Sequence, residues 1–324
     1  MWVRALTDRG GGLQVTGVSA LDWFHRVGPS GFGHAATASE VTRGLDLSGQ
    51  TYLVTGCTSG LGQETLRVLT SRGARVLATG RSAEKAQRAC AESGALAVPL
   101  SCDLSEPKSV LECVRAVRDR GEALTGIICN AGLMLHSGVE SKYGYELQFL
   151  TNHIGHFLLV TQLLGSLSDR ARVVMVSSEG HRLVPKGGIA FDNLSAERRF
   201  RTWQAYGQSK LANLLFAKEL ARRFTGTQRT ANAVHPGVIY TNLSRHLPAL
   251  LDKAFGLTAK LLSKTPAQGA ATQCYVATHP DVAADNGFYF ADCQHKQPSQ
   301  WACDAALAGR LWEVSESITR ELTP

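Results

Sequence analysis

Apolar residues follow two alternating rhythms along most of this chain. Short apolar runs, Tyr52-Leu53-Val54, Ala74-Arg75-Val76-Leu77-Ala78-Thr79-Gly80, Leu96-Ala97-Val98-Pro99-Leu100, Thr125-Gly126-Ile127-Ile128-Cys129, Arg172-Val173-Val174-Met175-Val176 and Thr230-Ala231-Asn232-Ala233-Val234, have the length and apolarity of buried strands. Between them the spacing becomes helical, as in Thr65, Leu66, Val68 and Leu69, or across 204 to 222. Buried strands separated by helices predict an α/β fold: one doubly wound parallel sheet of the Rossmann type. The alternation runs without a linker from residue 50 to about 290, so we expect one domain over residues 47 to 324, preceded by an N-terminal extension of residues 1 to 46.

Two helical stretches are apolar on more than one face. The first, from about 147 to 167, carries Ile154, Phe157, Leu158, Leu159, Leu163 and Leu164; the second, 204 to 222, carries Leu211, Leu214, Leu215, Phe216 and Leu220. A single sheet contact cannot cover so wide a face, which predicts a partner surface.

The strongest chemical signal lies after the first run, in Thr55-Gly56-Cys57-Thr58-Ser59-Gly60-Leu61-Gly62. Gly56 permits a turn that a Cβ would obstruct, Gly60 lets the backbone approach a pyrophosphate, and Gly62 lets the next helix pack against the strand. The free N–H groups of that helix supply the anion site, with Thr58 and Ser59 as hydroxyl donors and Leu61 in the same turn. At the end of the second strand there is no carboxylate to hold the ribose hydroxyls of NAD; Arg81 follows Gly80 instead. An arginine there accommodates a 2′-phosphate, so the expected cofactor is NADP(H), against the plainer reading of Arg81 as a solvated loop cation.

Far downstream, Tyr206 and Lys210 stand four residues apart, on one helical face. An ammonium beside the phenol, joined by an oxidised nicotinamide, would pull the tyrosine pKa from about 10 towards neutrality and make it a usable acid and base.

In chain order, Thr55-Gly56-x-x-x-Gly60-x-Gly62, Cys129-Asn130-Ala131-Gly132, Ser177-Ser178, Tyr206-x-x-x-Lys210 and Pro236-Gly237 resemble the short-chain dehydrogenase/reductase family over roughly residues 47 to 320. Thr151-Asn152-His153-Ile154-Gly155-His156-Phe157, Tyr206-Gly207-Gln208-Ser209-Lys210-Leu211 and Gln268-Gly269-Ala270-Ala271-Thr272 narrow this to a branch containing retinol dehydrogenases, the WW-domain-containing oxidoreductase and a plant chloroplast-envelope member associated with protein import, the last being the closest in look.

The resemblance implies a tetrad of Asn152, Ser178, Tyr206 and Lys210. Tyr206 exchanges the proton, Ser178 holds the substrate oxygen, Lys210 binds the nicotinamide ribose and Asn152 connects to a proton-relaying water. Ser177 competes with Ser178, and an insertion at 180 to 203 separates Ser178 from Tyr206. The resemblance also places Asp103 and Leu104 at the adenine, with a helix N-cap as the rival reading of Asp103. It puts Asn130, Ala131 and Gly132 beside the ribose, and Pro236, Gly237 and Thr241 at the nicotinamide carboxamide. In the family the two broad-faced helices often form a dimer interface, so the expected partner is a second copy of the chain.

Composition removes other classes. The net charge of +7 is scattered, without interleaved aromatics, which argues against a nucleic-acid partner and leaves weak contact with acidic lipid surfaces. The eight cysteines include no Cys-x-x-Cys pair and suit a reducing compartment. His153 and His156 lack a third ligand, so no metal is expected. Residues 1 to 46 contain no spanning apolar run, and the expected compartment is the cytoplasm or a plastid. Leucines and Phe255 between 242 and 264 read as a lid over an apolar cavity or as an amphipathic helix. Two function classes follow: an NADP-dependent carbonyl and alcohol oxidoreductase on an apolar substrate, and an NADP(H)-sensing binding protein with little turnover.

Overall fold

The computed structural model describes residues 27–134, 138–198, 201–238 and 263–323. Every apolar run becomes a strand: β1 (Thr51–Val54), β2 (Arg75–Gly80), β3 (Ala97–Ser101), β4 (Leu124–Cys129), β5 (Leu167–Val176) and β6 (Thr230–His235). Two short strands follow, β7 (Tyr289–Ala291) and β8 (Gln294–His295). The sheet order is β8-β7-β6-β5-β4-β1-β2-β3, and all neighbours are parallel except β7 and β8. The runs read as continuous because both faces are buried. Leu53 and Ile127 belong to one core, Tyr52, Val54 and Ile128 to the other.

The strand order reverses between β1 and β4, so their carboxyl ends open a crevice at the switch point where ligands bind in such sheets. Around the sheet pack α1 (Gly60–Ser71), α2 (Ala83–Ala91), α3 (Pro107–Arg118), α5 (Thr202–Arg223), α6 (Ala271–Thr278) and α7 (Ala305–Leu322). The expected helix over 147 to 167 is α4, and it is interrupted. A short helical piece, Leu147–Phe149, runs into a π-turn at Leu150–Ile154, then into Gly155–Gln162. Leu167 already belongs to β5.

The apolar faces that predicted a partner surface are packed within the chain. The apolar residues of α4 and α5 are buried inside the chain, because α7 lies across both helices. Trp312 meets the rings of Phe157 and Phe216 at 5.0 and 5.6 Å, the Arg223 guanidinium sits 3.8 Å from its centre, and Ser315 Oγ is 2.8 Å from His153 Nε2. The sequence pattern reported burial correctly, but the covering surface is the chain's own last helix.

Residues 27 to 46 also pack on the domain: Phe32 lies edge-on to Tyr275 at 5.6 Å, and Ala38 and Val41 are buried. Thr241 and most of the expected lid lie outside the described residues.

Candidate active site

The glycine turn joins β1 to α1 at the crevice. A Cβ on Gly62 would stand 2.1 Å from the Gly56 carbonyl oxygen, and one on Gly56, at φ +72°, would stand 2.9 Å from Ala131 Cβ. Side chains are therefore excluded where strand, turn and helix meet. Ser59 precedes α1 with an extended backbone and its hydroxyl makes no capping hydrogen bond, so the first N–H groups of a helix of 12 residues are left for an anion. These features fit a dinucleotide pyrophosphate.

Thr58 faces the end of β2, where a Cβ on Gly80 would be 2.7 Å from Thr58 Cγ2. That contact leaves little room for a side chain at residue 80, and Arg81, the next residue, is exposed. Asp103 Oδ1 accepts from the Ser105 amide and hydroxyl, at 2.9 and 2.8 Å, while the N-cap of α3 is Glu106. The rival N-cap reading of Asp103 is therefore not what the fold adopts. Leu104 is buried, and its carbonyl lies where a Cβ on Gly155 would approach to 2.3 Å. Asn130 donates to the Thr55 carbonyl at 2.9 Å, and a Cβ on Gly132 would be 3.2 Å from both Asn152 Oδ1 and Lys210 Nζ. Gly237, at φ +93°, packs on the buried side chain of Lys264.

Asn152, Ser178, Tyr206 and Lys210 converge at the carboxyl ends of β4 and β5. The Asn152 amide accepts from the Leu133 N–H at 2.8 Å and donates to its carbonyl at 2.9 Å and to Ser209 Oγ at 2.9 Å. Ser177 Oγ donates to the Lys210 carbonyl at 2.7 Å, while Ser178 Oγ and the Tyr206 ring face the same spot, where a Cβ on Gly180 would stand 3.4 Å from Ser178 Oγ and 3.0 Å from Tyr206 Cε1. The fold thus separates the two serines that the sequence left in competition. Lys210 Nζ donates to the Val176 carbonyl at 3.1 Å and lies 5.7 Å from the centre of the Tyr206 ring.

Burial dominates the electrostatics of this pair. Burial of the Tyr206 hydroxyl raises its pKa, and the neighbouring Ser178 hydroxyl offsets this only in part. Burial also depresses the Lys210 ammonium, to about 8, and one of its N–H groups donates to the Val176 carbonyl. The resting site therefore holds a neutral phenol, the form that donates a proton.

Strand order, glycine cradle and tyrosine-lysine helix together define a nicotinamide-nucleotide-dependent dehydrogenase. The sequence model of the short chain dehydrogenase family matches residues 50–250, and the chain belongs to that family of oxidoreductases. It is 41% identical over 314 residues to the short-chain dehydrogenase TIC 32 A, chloroplastic, of Brassica napus, covering 92% of this chain and 97% of that one. It is 37% identical to human retinol dehydrogenase 14 over 83% of this chain and 86% of the relative. A crystal structure of an uncharacterized protein from Mycobacterium paratuberculosis superposes with a TM-score of 0.71 at 32% identity, covering 86% of this chain and 97% of that one.

Two features escaped the sequence reading. Lys264, 2.6 Å from Asp292, packs against Gly237 across a long sequence separation that no local pattern signals. His156, read as structural rather than as a metal ligand, bridges Thr55 and Asn152, two partners that the sequence did not name.

Proposed function

We propose that this chain is an NADP(H)-dependent oxidoreductase that interconverts a carbonyl and an alcohol on an apolar substrate, with Tyr206 as the acid and base. The convergence of Ser178, Tyr206, Lys210 and Asn152 beside the glycine turn carries this reading. The bound nicotinamide supplies or accepts a hydride at C4. In reduction, Ser178 holds the carbonyl oxygen and Tyr206 gives that oxygen its phenolic proton as the carbonyl carbon becomes C–H. In oxidation the phenolate takes the alcohol proton back. Lys210 holds the ribose, and its charge favours the phenolate once formed. Asn152 keeps the segment around Leu133 in place beside the cofactor.

The phosphate preference rests on Arg81 and on glycine at residue 80. An apolar substrate is supported by exposed Leu183, Trp203 and Val238, which flank the site: Leu183 follows the Ser178 turn, Trp203 stands one helical turn before Tyr206, and Val238 follows Gly237. The carbonyl of Leu183 lies against Gly207, where a Cβ would approach to 2.3 Å. Eight free cysteines, seven of them buried, suit the cytoplasm or a plastid as the compartment.

The test is NADPH oxidation with nitrobenzaldehyde, decanal, retinal and phenanthrenequinone. Tyr206→Phe is expected to keep NADPH binding and lose roughly 10²-fold or more in turnover. Near-normal turnover in that variant would overturn the mechanism. NADPH binding without turnover on any of the four would leave a cofactor-sensing binding protein in its place.

A further inference from the structure

A chain of hydrogen bonds joins the nucleotide turn to the proton-transfer group through His156. Its polarity follows from the partners. The Asn152 carbonyl oxygen can only accept, so His156 Nδ1, 2.9 Å away, carries the proton. A neutral imidazole then offers Nε2 as an acceptor, and Thr55 Oγ1, at 2.9 Å, donates to it. The same Thr55 oxygen accepts the Ala131 N–H at 2.9 Å.

Thr55, His156 and Asn152 are all fully buried, so water offers no substitute for a lost partner. Burial lowers the His156 pKa to about 4, which keeps the ring neutral at pH 7. Both ring nitrogens are engaged, which leaves no lone pair for a metal. At the other end, Asn152 sits in the π-turn of α4, an irregularity frequent at functional sites. Its amide donates to Ser209 Oγ, and Ser209 donates to the Tyr206 carbonyl at 2.8 Å.

We propose, resting on the oxidoreductase reading, that His156 is a positioning residue: as its Nδ1–H tautomer it holds the Asn152 turn, and through Ser209 the turn of α5 that carries Tyr206, in register with the nucleotide turn at Thr55 and Ala131. The imidazole touches neither substrate nor cofactor in this role. It fixes the distance between the acid and the hydride donor, where misplacement is costly.

The test uses the full chain labelled with [15N]histidine, alongside steady-state kinetics with NADPH and the carbonyl of the panel that wild type reduces fastest. At neutral pH the His156 resonances should report a protonated Nδ1 and a bare Nε2, and Thr55→Val should shift the Nε2 signal. His156→Phe and the isosteric Thr55→Val should each lower kcat roughly 10-fold while the NADPH KM stays within about twofold. The double variant should be no slower than His156→Phe alone, and Thr55→Ser should recover turnover lost in Thr55→Val. An Nε2–H tautomer overturns the proposal, as do an unchanged kcat, multiplicative losses in the double variant, or losses confined to the NADPH KM. Failure of wild type on the whole panel removes the oxidoreductase reading and this role with it. That outcome is distinguishable, because the Nδ1–H tautomer would persist.

Discussion

The glycine turn and the α4–α5 face are both regions without room for change, for opposite reasons. At the turn the constraint is local: residues 56 to 62 meet each other and Ala131 so closely that a single Cβ on Gly62 has nowhere to go. On the α4–α5 face the constraint is remote. Large apolar side chains are tolerated because Trp312, Leu311 and Ile318, from the other end of the chain, close over them. A short-range constraint leaves a spacing signature. A long-range one leaves only an excess of apolar residues, with nothing to say what covers it.

The largest test of this contrast is Trp312→Ala, which should cost about 3–5 kcal/mol of stability by leaving a cavity against Phe157 and Phe216. Denaturant unfolding would measure it. At temperatures where the variant stays folded, NADPH affinity should be unchanged; a matching loss of affinity would show that the two regions are not independent. Newly exposed apolar surface on α4 and α5 should also promote self-association, visible by light scattering.

Gly62→Ala should behave in the reverse sense. Overpacking at the turn costs about 1–3 kcal/mol, and NADPH binding should weaken together with stability, because the backbone that must move is the backbone that cradles the phosphate. Full affinity by fluorescence titration would contradict the cradle.

Arg81→Ala sharpens the contrast within the turn region. Loss of a charge-assisted contact should weaken NADPH by about 1–3 kcal/mol while leaving NADH unaffected. Arg81 is exposed, so stability should hold. Equal preference before and after the change would assign Arg81 to solvent.

The smallest effect is a slope with pH. His153, under α7, and His156, under the turn, are buried with pKa values lowered to about 3 and about 4. Their unfolded forms bind protons first, below about 6.5, so stability falls as pH drops from there towards about 4, by roughly 1.4 kcal/mol per pH unit for each histidine. Replacing His153 with Gln should flatten the acid limb of the unfolding free energy. An unchanged slope would mean that the ring is already charged.

Much of the fold was legible because both signals it needs are local. Continuous apolar runs gave six strands within a few residues, apart from β5, which begins five residues earlier than its run, and the helix around Tyr206 extends only slightly beyond its expected span. The break in α4 was not legible. Leu150–Ile154 has an unremarkable helical pattern, and its π-turn is sustained by the Asn152 amide and the His156 ring meeting partners from elsewhere. The desolvation of the tyrosine-lysine pair was not legible for a related reason. Spacing places a lysine on the same helix face, but it says nothing of how deeply both groups are desolvated or of the Val176 carbonyl that accepts a hydrogen bond from the lysine.

By itself the sequence determined the parallel α/β sheet, the glycine cradle and the family, since each depends on residues close together in the chain or on a motif of fixed spacing. Tertiary structure alone decided which serine faces Tyr206, what covers the α4–α5 face and which partners set the tautomer of His156. Those outcomes depend on contacts such as Ser315 with His153 and Thr55 with His156, between segments brought together only by the closed sheet, and on burial, which is a property of the packed whole.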